Sequence, residues 1–178
     1  MIFSRRPPGP VRAMLARDER ALTWAAANPS DFVVATNLGL WLPGRAERLG
    51  WHQIHKATWD PPRLTVIPAT PVEEAEGYAI MADDAAVEIV LSDPGDVPIR
   101  VRERVTRSVA YTRHHPLTPS GGVRVVGRRV PGADGLTWHV RYDEGTDRED
   151  PEVRAATAEL VGATSTSLRV EQRGTASG

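Results

Sequence analysis

The sequence predicts an α+β protein in which seven short strands form a small bent sheet or barrel with a capping helix. The first observation is the alternation of apolar and polar residues over short segments between residues 21 and 91. Clusters of proline, glycine, asparagine and aspartate separate these segments, as is usual for turns. The second observation is a change of the apolar period to four residues after residue 96, which indicates a helix. A chain of 178 residues is long enough to bury an apolar core.

The beginning of the chain, residues 1–17, is predicted to be a flexible arm, because three prolines stand among its first ten residues. Residues 20–27 fit either the end of a helix that starts near Val11 or a first strand. The alternation of apolar side chains favours a strand that starts at Ala21.

The other strands follow from alternating β-branched and aromatic residues between turns. We predict strands over residues 21–27, 32–36, 40–42, 48–59, 63–69, 78–81 and 86–91. The acidic residues 73–77 are predicted to form a loop between the fifth strand and the sixth.

An amphipathic helix is predicted after the turn residues 92–96. An apolar side chain recurs at every fourth position, as Val97, Val101, Val105 and Val109. We expect the helix to end before Pro116, because the residue before a proline disfavours the helical conformation. His114 and His115 would then lie in its last turn, where the helix dipole favours positive charge.

Beyond this helix, residues 123–130 and 136–142 are predicted to pair as an extra β-hairpin, and a C-terminal helix is predicted from Pro151 to Gly162. The polar residues that follow predict a disordered tail. The predicted parts of the chain are an arm at 1–17, a main domain at 18–115, a hairpin-and-helix extension at 116–164 and a tail at 165–178.

The strand segments resemble those of bacterial domains of the pleckstrin-homology (PH) superfold. The similar segments are Val33-Val34-Ala35-Thr36, Gly39-Leu40-Trp41-Leu42, residues 51–57 and Leu64-Thr65-Val66. The third of them contains a W-x-x-I pattern, and the resemblance covers residues 20–115. It implies a seven-stranded PH-like bent sheet with a capping helix. It also implies a module that binds lipids, peptides or proteins and does not catalyse a reaction.

Composition excludes several kinds of chemistry. Because the chain has no cysteine, it has no disulfide or thiolate metal site, and it fits a reducing compartment. Its start lacks the apolar run of a signal peptide, and no apolar stretch approaches the ~20 residues that span a bilayer, so we expect a cytoplasmic location. No phosphate-binding glycine loop or nucleophile motif is found, and no cofactor is expected. A single lysine among 22 basic residues is typical of a GC-rich genome, such as an actinobacterial one.

Charge is unevenly distributed along the chain, although the net charge is −1. Residues 99–129 carry eight arginines and one acid. On the predicted helix, Arg100, Arg104 and Arg107 share the side away from the valines. Together with Arg128 of the hairpin they are candidates for binding phosphate groups of nucleic acid or of an anionic membrane surface. The alternative is a solvated face that acids elsewhere neutralise.

Aromatic residues and histidines offer two further candidate sites. Trp41 and Trp59 would anchor a protein partner if they are exposed, whereas in a small barrel most tryptophans fill the core. The spacing of the five histidines places no two imidazoles on one face, so we expect no metal site. Acid–base catalysis by His52, His55 or His115 is a further alternative.

We therefore expect a non-catalytic cytoplasmic module that binds a protein or peptide partner. The alternative is anion binding, to nucleic acid or an anionic lipid headgroup, through the arginine-rich helix at 99–113. A hydrolase or transferase is the third hypothesis, but no motif orders the histidines into a catalytic site, and we expect no enzyme activity.

Overall fold

The computed structural model describes residues 6–27, 30–117 and 121–175. Residues 1–5 of the predicted arm and 176–178 of the predicted tail lie outside the described residues. Contacts divide the chain into two compact units. The first unit comprises Met1–Thr70, Asp83–Val109 and Arg129–Gly135, and the second comprises Pro71–Ala82, Ala110–Arg128 and Leu136–Gly178.

The first unit begins with helix α1 (Gly9–Met14), which lies in the segment predicted to be a flexible arm. Pro10 stands in the first turn, where its missing N–H is not needed by the helix. Val11 is fully buried. The prediction of an irregular arm was therefore wrong for these residues, because a proline at a helix start favours the helix.

A four-stranded antiparallel sheet follows α1. Its strands, in sheet order, are β1 (Ala21–Ala27), β2 (Asp31–Thr36), β3 (Gly39–Trp41) and β4 (Leu49–Gly50). The first three confirm the strands predicted at 21–27, 32–36 and 40–42.

The long strand predicted at 48–59 is interrupted. A turn of 3-10 helix, Trp51–Gln53, separates β4 from β5 (Ile54–Asp60). The turn directs Trp51 inward, where it is buried and donates its indole N–H to the carbonyl oxygen of Thr36 at 3.1 Å. Burial of this ring breaks the regular alternation, so eight strands rather than seven precede the next helix in the described part of the chain.

Strand β6 (Arg63–Ala75) pairs antiparallel with β5 and with β8 (Val87–Val90) in the first unit. It is longer than the strand predicted at 63–69, and Glu73 and Glu74 lie in it rather than in a loop. The chain turns instead at Gly77, whose φ of 85° suits a residue without a side chain.

Helix α2 (Val97–Ser108) buries Val97, Val101 and Val105, as the valine spacing predicts, and it packs on β1, β2 and β5. It ends seven residues earlier than predicted. The carbonyl oxygen of Ser108 accepts the N–H of Arg129 at 2.7 Å. The next residues form strand β9 (Val109–Pro116), which suits their β-branched and aromatic side chains, so His114 and His115 lie in a strand.

The second unit contains the end of β6 and strands β7 (Tyr78–Asp83), β9, β10 (Gly122–Arg128) and β11 (Thr137–Tyr142). The strand order is β6-β7-β11-β10-β9. This sheet is mixed, because β11 pairs parallel to β7 and antiparallel to β10. The antiparallel pair confirms the predicted hairpin.

Helix α3 (Pro151–Thr175) extends 13 residues beyond the predicted end at Gly162. The polar tail predicted to be disordered is therefore helical up to Thr175. Its apolar stripe continues past the glycine, and Leu168 packs against the core of the second unit. Thr164 and Thr166 donate their hydroxyls to carbonyl oxygens four residues earlier, so both hydroxyls find an acceptor within the helix.

Each unit has its own apolar core, one around Leu40, Ile54 and Val101 and the other around Val123, Val140 and Val161. The chain is thus an α+β protein, as predicted, but its strands form one antiparallel and one mixed sheet rather than a single bent sheet. Within the described residues, no helix is long and apolar enough to cross a membrane.

Candidate functional site

Three arginines of α2 lie on one side of the helix, next to its buried valine face. Arg100, Arg104 and Arg107 are spaced by four and three residues, so they form a row about 10 Å long. Arg104 and Arg100 are partly exposed and Arg107 is exposed. Arg102, by contrast, is exposed on the opposite side of the helix.

A fourth arginine, at the residue before β1, lies near this row. The start of β1 packs against α2, and Thr23 donates its hydroxyl to the carboxylate of Asp96 just before the helix. Arg20 precedes β1 and lies near enough to Arg104 to act on its charge. Burial lowers the pKa of Arg104, and the positive charges of Arg107, Arg100 and Arg20 lower it further.

In the described residues, acidic side chains form ion pairs at only one end of the row, although the charge of Glu103 also acts on Arg104. Arg100 pairs with Asp96 at 3.4 Å and with Glu103 at 3.2 Å. Within the described residues, Arg104 and Arg107 form no ion pair. Each therefore keeps guanidinium donors for a ligand.

A fifth arginine lies at the C-terminal end of α2. Arg129 donates from Nη1 to the backbone oxygen of Arg107 at 3.0 Å, and its side chain is exposed. We call Arg20, Arg100, Arg104, Arg107 and Arg129 the arginine cluster. Its members come from three separate stretches of chain.

Arg128 was predicted to join the α2 arginines. Arg128 lies on β10 in the second unit, and only 6% of its surface is exposed. Burial lowers the pKa of Arg128, and the charge of Arg141 lowers it further. Arg128 shares its face of β10 with the exposed Arg124, so the alternation of the strand does not account for its burial. A buried guanidinium does not contribute to an exposed phosphate-binding surface, which counts against Arg128 as a member of the site.

The two candidate tryptophan anchors pack within the first unit. Trp41 is partly buried and donates its indole N–H to Oε1 of Glu19 at 3.0 Å. Trp59 is also partly buried and packs against the apolar core. The role of Trp41 and Trp59 in binding a partner stays a prediction, and both have an evident structural role.

The histidines are dispersed over both units. His55 pairs with Asp83 at 2.7 Å in the first unit, and His114 pairs with Asp143 at 2.7 Å in the second. In the described ranges, no three potential metal ligands come together. Nε2 of His115 is buried and has no hydrogen-bond partner there, and burial lowers the pKa of this imidazole.

Sequence reasoning missed the contribution of Arg20. About 80 residues separate it from α2 along the chain, and nothing in its local sequence marks it. Only the packing of β1 on the helix brings them together. Arg129 was recognisable as part of the basic segment 99–129, but its neighbour Arg128 looked equally suitable.

The comparisons with known proteins identify no family for this chain. The chain matches no protein-family model, and neither the curated proteins nor the solved structures gave a significant match. Function therefore has to be inferred from the geometry of the site itself.

Proposed function

We propose that this protein is a non-catalytic binding module whose arginine cluster holds the phosphate groups of an anionic ligand. The observation that carries the proposal is that the packing of β1 on α2 brings Arg20 near Arg104, while neither Arg104 nor Arg107 forms an ion pair within the described residues. Folding places these like charges together, and a bound anion would relieve their repulsion.

The chemistry of guanidinium suits phosphate. Its planar fork donates two parallel hydrogen bonds to two oxygens of one group, and the charge persists at any physiological pH. A row of such groups along one helix side can follow successive phosphates of a polyanion. Bacteria with GC-rich genomes favour arginine in general, so the proposal depends on the convergence in space rather than on the residue type.

The arrangement of the first unit supports a PH-like relationship. It has short, mostly antiparallel strands followed by a helix, α2, which covers them with its apolar face. We infer that the unit is a divergent PH-like module, and a binding role is usual for that superfold. The absence of cysteine supports a cytoplasmic location.

A binding assay with three phosphate probes tests this function. The full chain is titrated with a labelled oligonucleotide, with phosphatidylcholine vesicles that contain phosphatidylserine, and with inorganic phosphate, each at low and at physiological salt. The probe that binds best identifies the source of the phosphate. Affinity is expected to fall with salt, because bound arginines displace counterions.

A matched pair of variants separates the cluster from general charge. Arg104→Glu removes a central member, whereas Arg102→Glu makes the same change on the other side of α2. We expect Arg104→Glu to weaken binding about tenfold. It is also expected to reduce the slope of log affinity against log salt by about one, because one arginine no longer reaches a phosphate. Equal effects of the two variants, or no binding of any probe at low salt, would overturn the proposal.

A second candidate function is the binding of a peptide partner. The observation that favours it is an apolar groove in the second unit.

A further inference from the structure

The second unit carries a groove along the first three turns of α3. It has a volume of about 460 Å³ and is partly open to solvent. Its lining residues are Pro116, Leu117, Glu152, Val153, Ala156, Glu159, Leu160 and Ala163. Six of these side chains are apolar, so the floor of the groove favours an apolar side chain of a ligand.

Two carboxylates flank this apolar floor. Glu152 and Glu159 are exposed and lie seven residues apart on α3, about 10 Å along its axis. Neither forms an ion pair within the described residues. The nearby basic residue, Arg154, is already paired with Glu73 and Glu149. The two charges are therefore left for a cation from outside the unit.

The length of the groove suits a segment of polypeptide chain. From Glu152 to Ala163 the lining extends over eleven residues of helix, about 16 Å. A helical segment presents apolar side chains at positions three and four after a first basic residue, and a second basic residue seven after it on the same face. This spacing matches the apolar floor between Glu152 and Glu159.

We propose that the groove on α3 binds a basic amphipathic helix of a partner protein. Apolar side chains of the helix enter the groove over Ala156 and Leu160, and its two basic residues pair with Glu152 and Glu159. This mode of recognition, a helix in a groove, derives its affinity from apolar burial and its specificity from the flanking charges.

The test uses two synthetic helical peptides of equal length. One has lysines seven residues apart with leucines between them on the same face, and the other has glutamates in place of the lysines. Binding to the full chain is measured by fluorescence anisotropy. We expect the lysine peptide to bind and the glutamate peptide to bind at least about tenfold more weakly.

Three variants and one control assign the binding to the groove. Glu159→Lys is expected to weaken the lysine peptide about tenfold, whereas Glu144→Lys, an equal charge change at an exposed residue outside the lining, leaves its affinity unchanged. Ala163→Trp fills the groove from an exposed position and is expected to weaken both peptides. The pair Glu152→Lys and Glu159→Lys in one chain is expected to reverse the preference, so that the glutamate peptide binds better.

Reversal of the preference is a gain of binding that a misfolded variant does not produce. The proposal is overturned if neither peptide binds, if Glu144→Lys and Glu159→Lys have equal effects, or if the double variant keeps the original preference. Circular dichroism and thermal unfolding of each variant verify that the fold is intact. Arg104→Glu is expected to leave the peptide affinity unchanged, so this test is independent of the phosphate-binding function.

Discussion

The carboxylate of Glu19 accepts a hydrogen bond from the indole N–H of Trp41, with 3.0 Å between Nε1 and Oε1. The same carboxylate accepts hydrogen bonds from Thr36 at 2.6 Å and from Arg48 at 2.9 Å. Burial alone would raise the pKa of Glu19, but the hydrogen bonds of Thr36, Ala16 and Trp41 and the charge of Arg48 lower it overall. Within the first unit, Glu19 thus connects β2 and β3 with Arg48, the residue before β4.

We expect Glu19→Gln to lower the free energy of unfolding by about 2 kcal/mol, because the amide leaves buried donors without a charged acceptor. Trp41→Phe is expected to cost about 1 kcal/mol, since it removes one of these donors. Urea unfolding measures both, with the exposed Glu47→Gln as a control. If Glu19→Gln and Glu47→Gln unfold at the same urea concentration, the hydrogen bonds to Glu19 do not stabilise the fold.

The stability of the protein is expected to fall as the pH drops below 6.5, in part because of His115. Burial lowers its pKa below the ordinary 6.5, and the charges of Arg113 and His114 contribute. The unfolded chain therefore binds a proton at a pH where the folded chain does not, so protonation favours unfolding. His115→Phe is expected to make the slope of unfolding free energy against pH shallower in this range. Parallel curves for the variant and the wild type would contradict this assignment.

The sequence predicted the strands and helices whose apolar residues alternate or recur with a clear period. β1, β2 and β3 are confirmed nearly to the residue, as is the start of α2. The end of α2 was mispredicted because Val109 continues the valine period, although it begins a strand. The local sequence pattern does not show which distant strand the following residues pair with, so it cannot show where the helix gives way to β9.

The candidate site was predictable only in part, for a similar reason. Helical spacing indicates that Arg100, Arg104 and Arg107 share a side, but Arg20 joins them through tertiary packing. Glu19 illustrates the same limit. It stands among charged residues in the sequence, and only the fold reveals that it is 7% exposed and bonded to Thr36.

Gly39→Ala is expected to destabilise the first unit by about 1–3 kcal/mol, in the range of overpacked sites. Gly39 lies in β3 and pairs with Gly50 of β4, and an added Cβ would collide with the backbone oxygen of Leu49. A backbone atom in a paired strand cannot move aside as a side chain does. Thermal unfolding measures the loss, and Gly44→Ala is unsuitable as a control because Gly44 has a positive φ. Gly162→Ala, with open space around an added Cβ, serves instead and is expected to be neutral or stabilising.

Removal of the charge at Arg104 is expected to leave the fold as stable as the wild type or to stabilise it by a few tenths of a kcal/mol. Burial and three neighbouring arginines lower the pKa of Arg104, so its positive charge is disfavoured in the folded state. In Arg104→Gln this repulsion is relieved, and the difference from the wild type is expected to shrink as salt screens the charges. Inorganic phosphate is expected to raise the unfolding temperature of the wild type and of the control Arg102→Gln more than that of Arg104→Gln. A loss of a full kcal/mol in Arg104→Gln at low salt would instead indicate that Arg104 holds the fold together, and the case for a ligand site on α2 would fail.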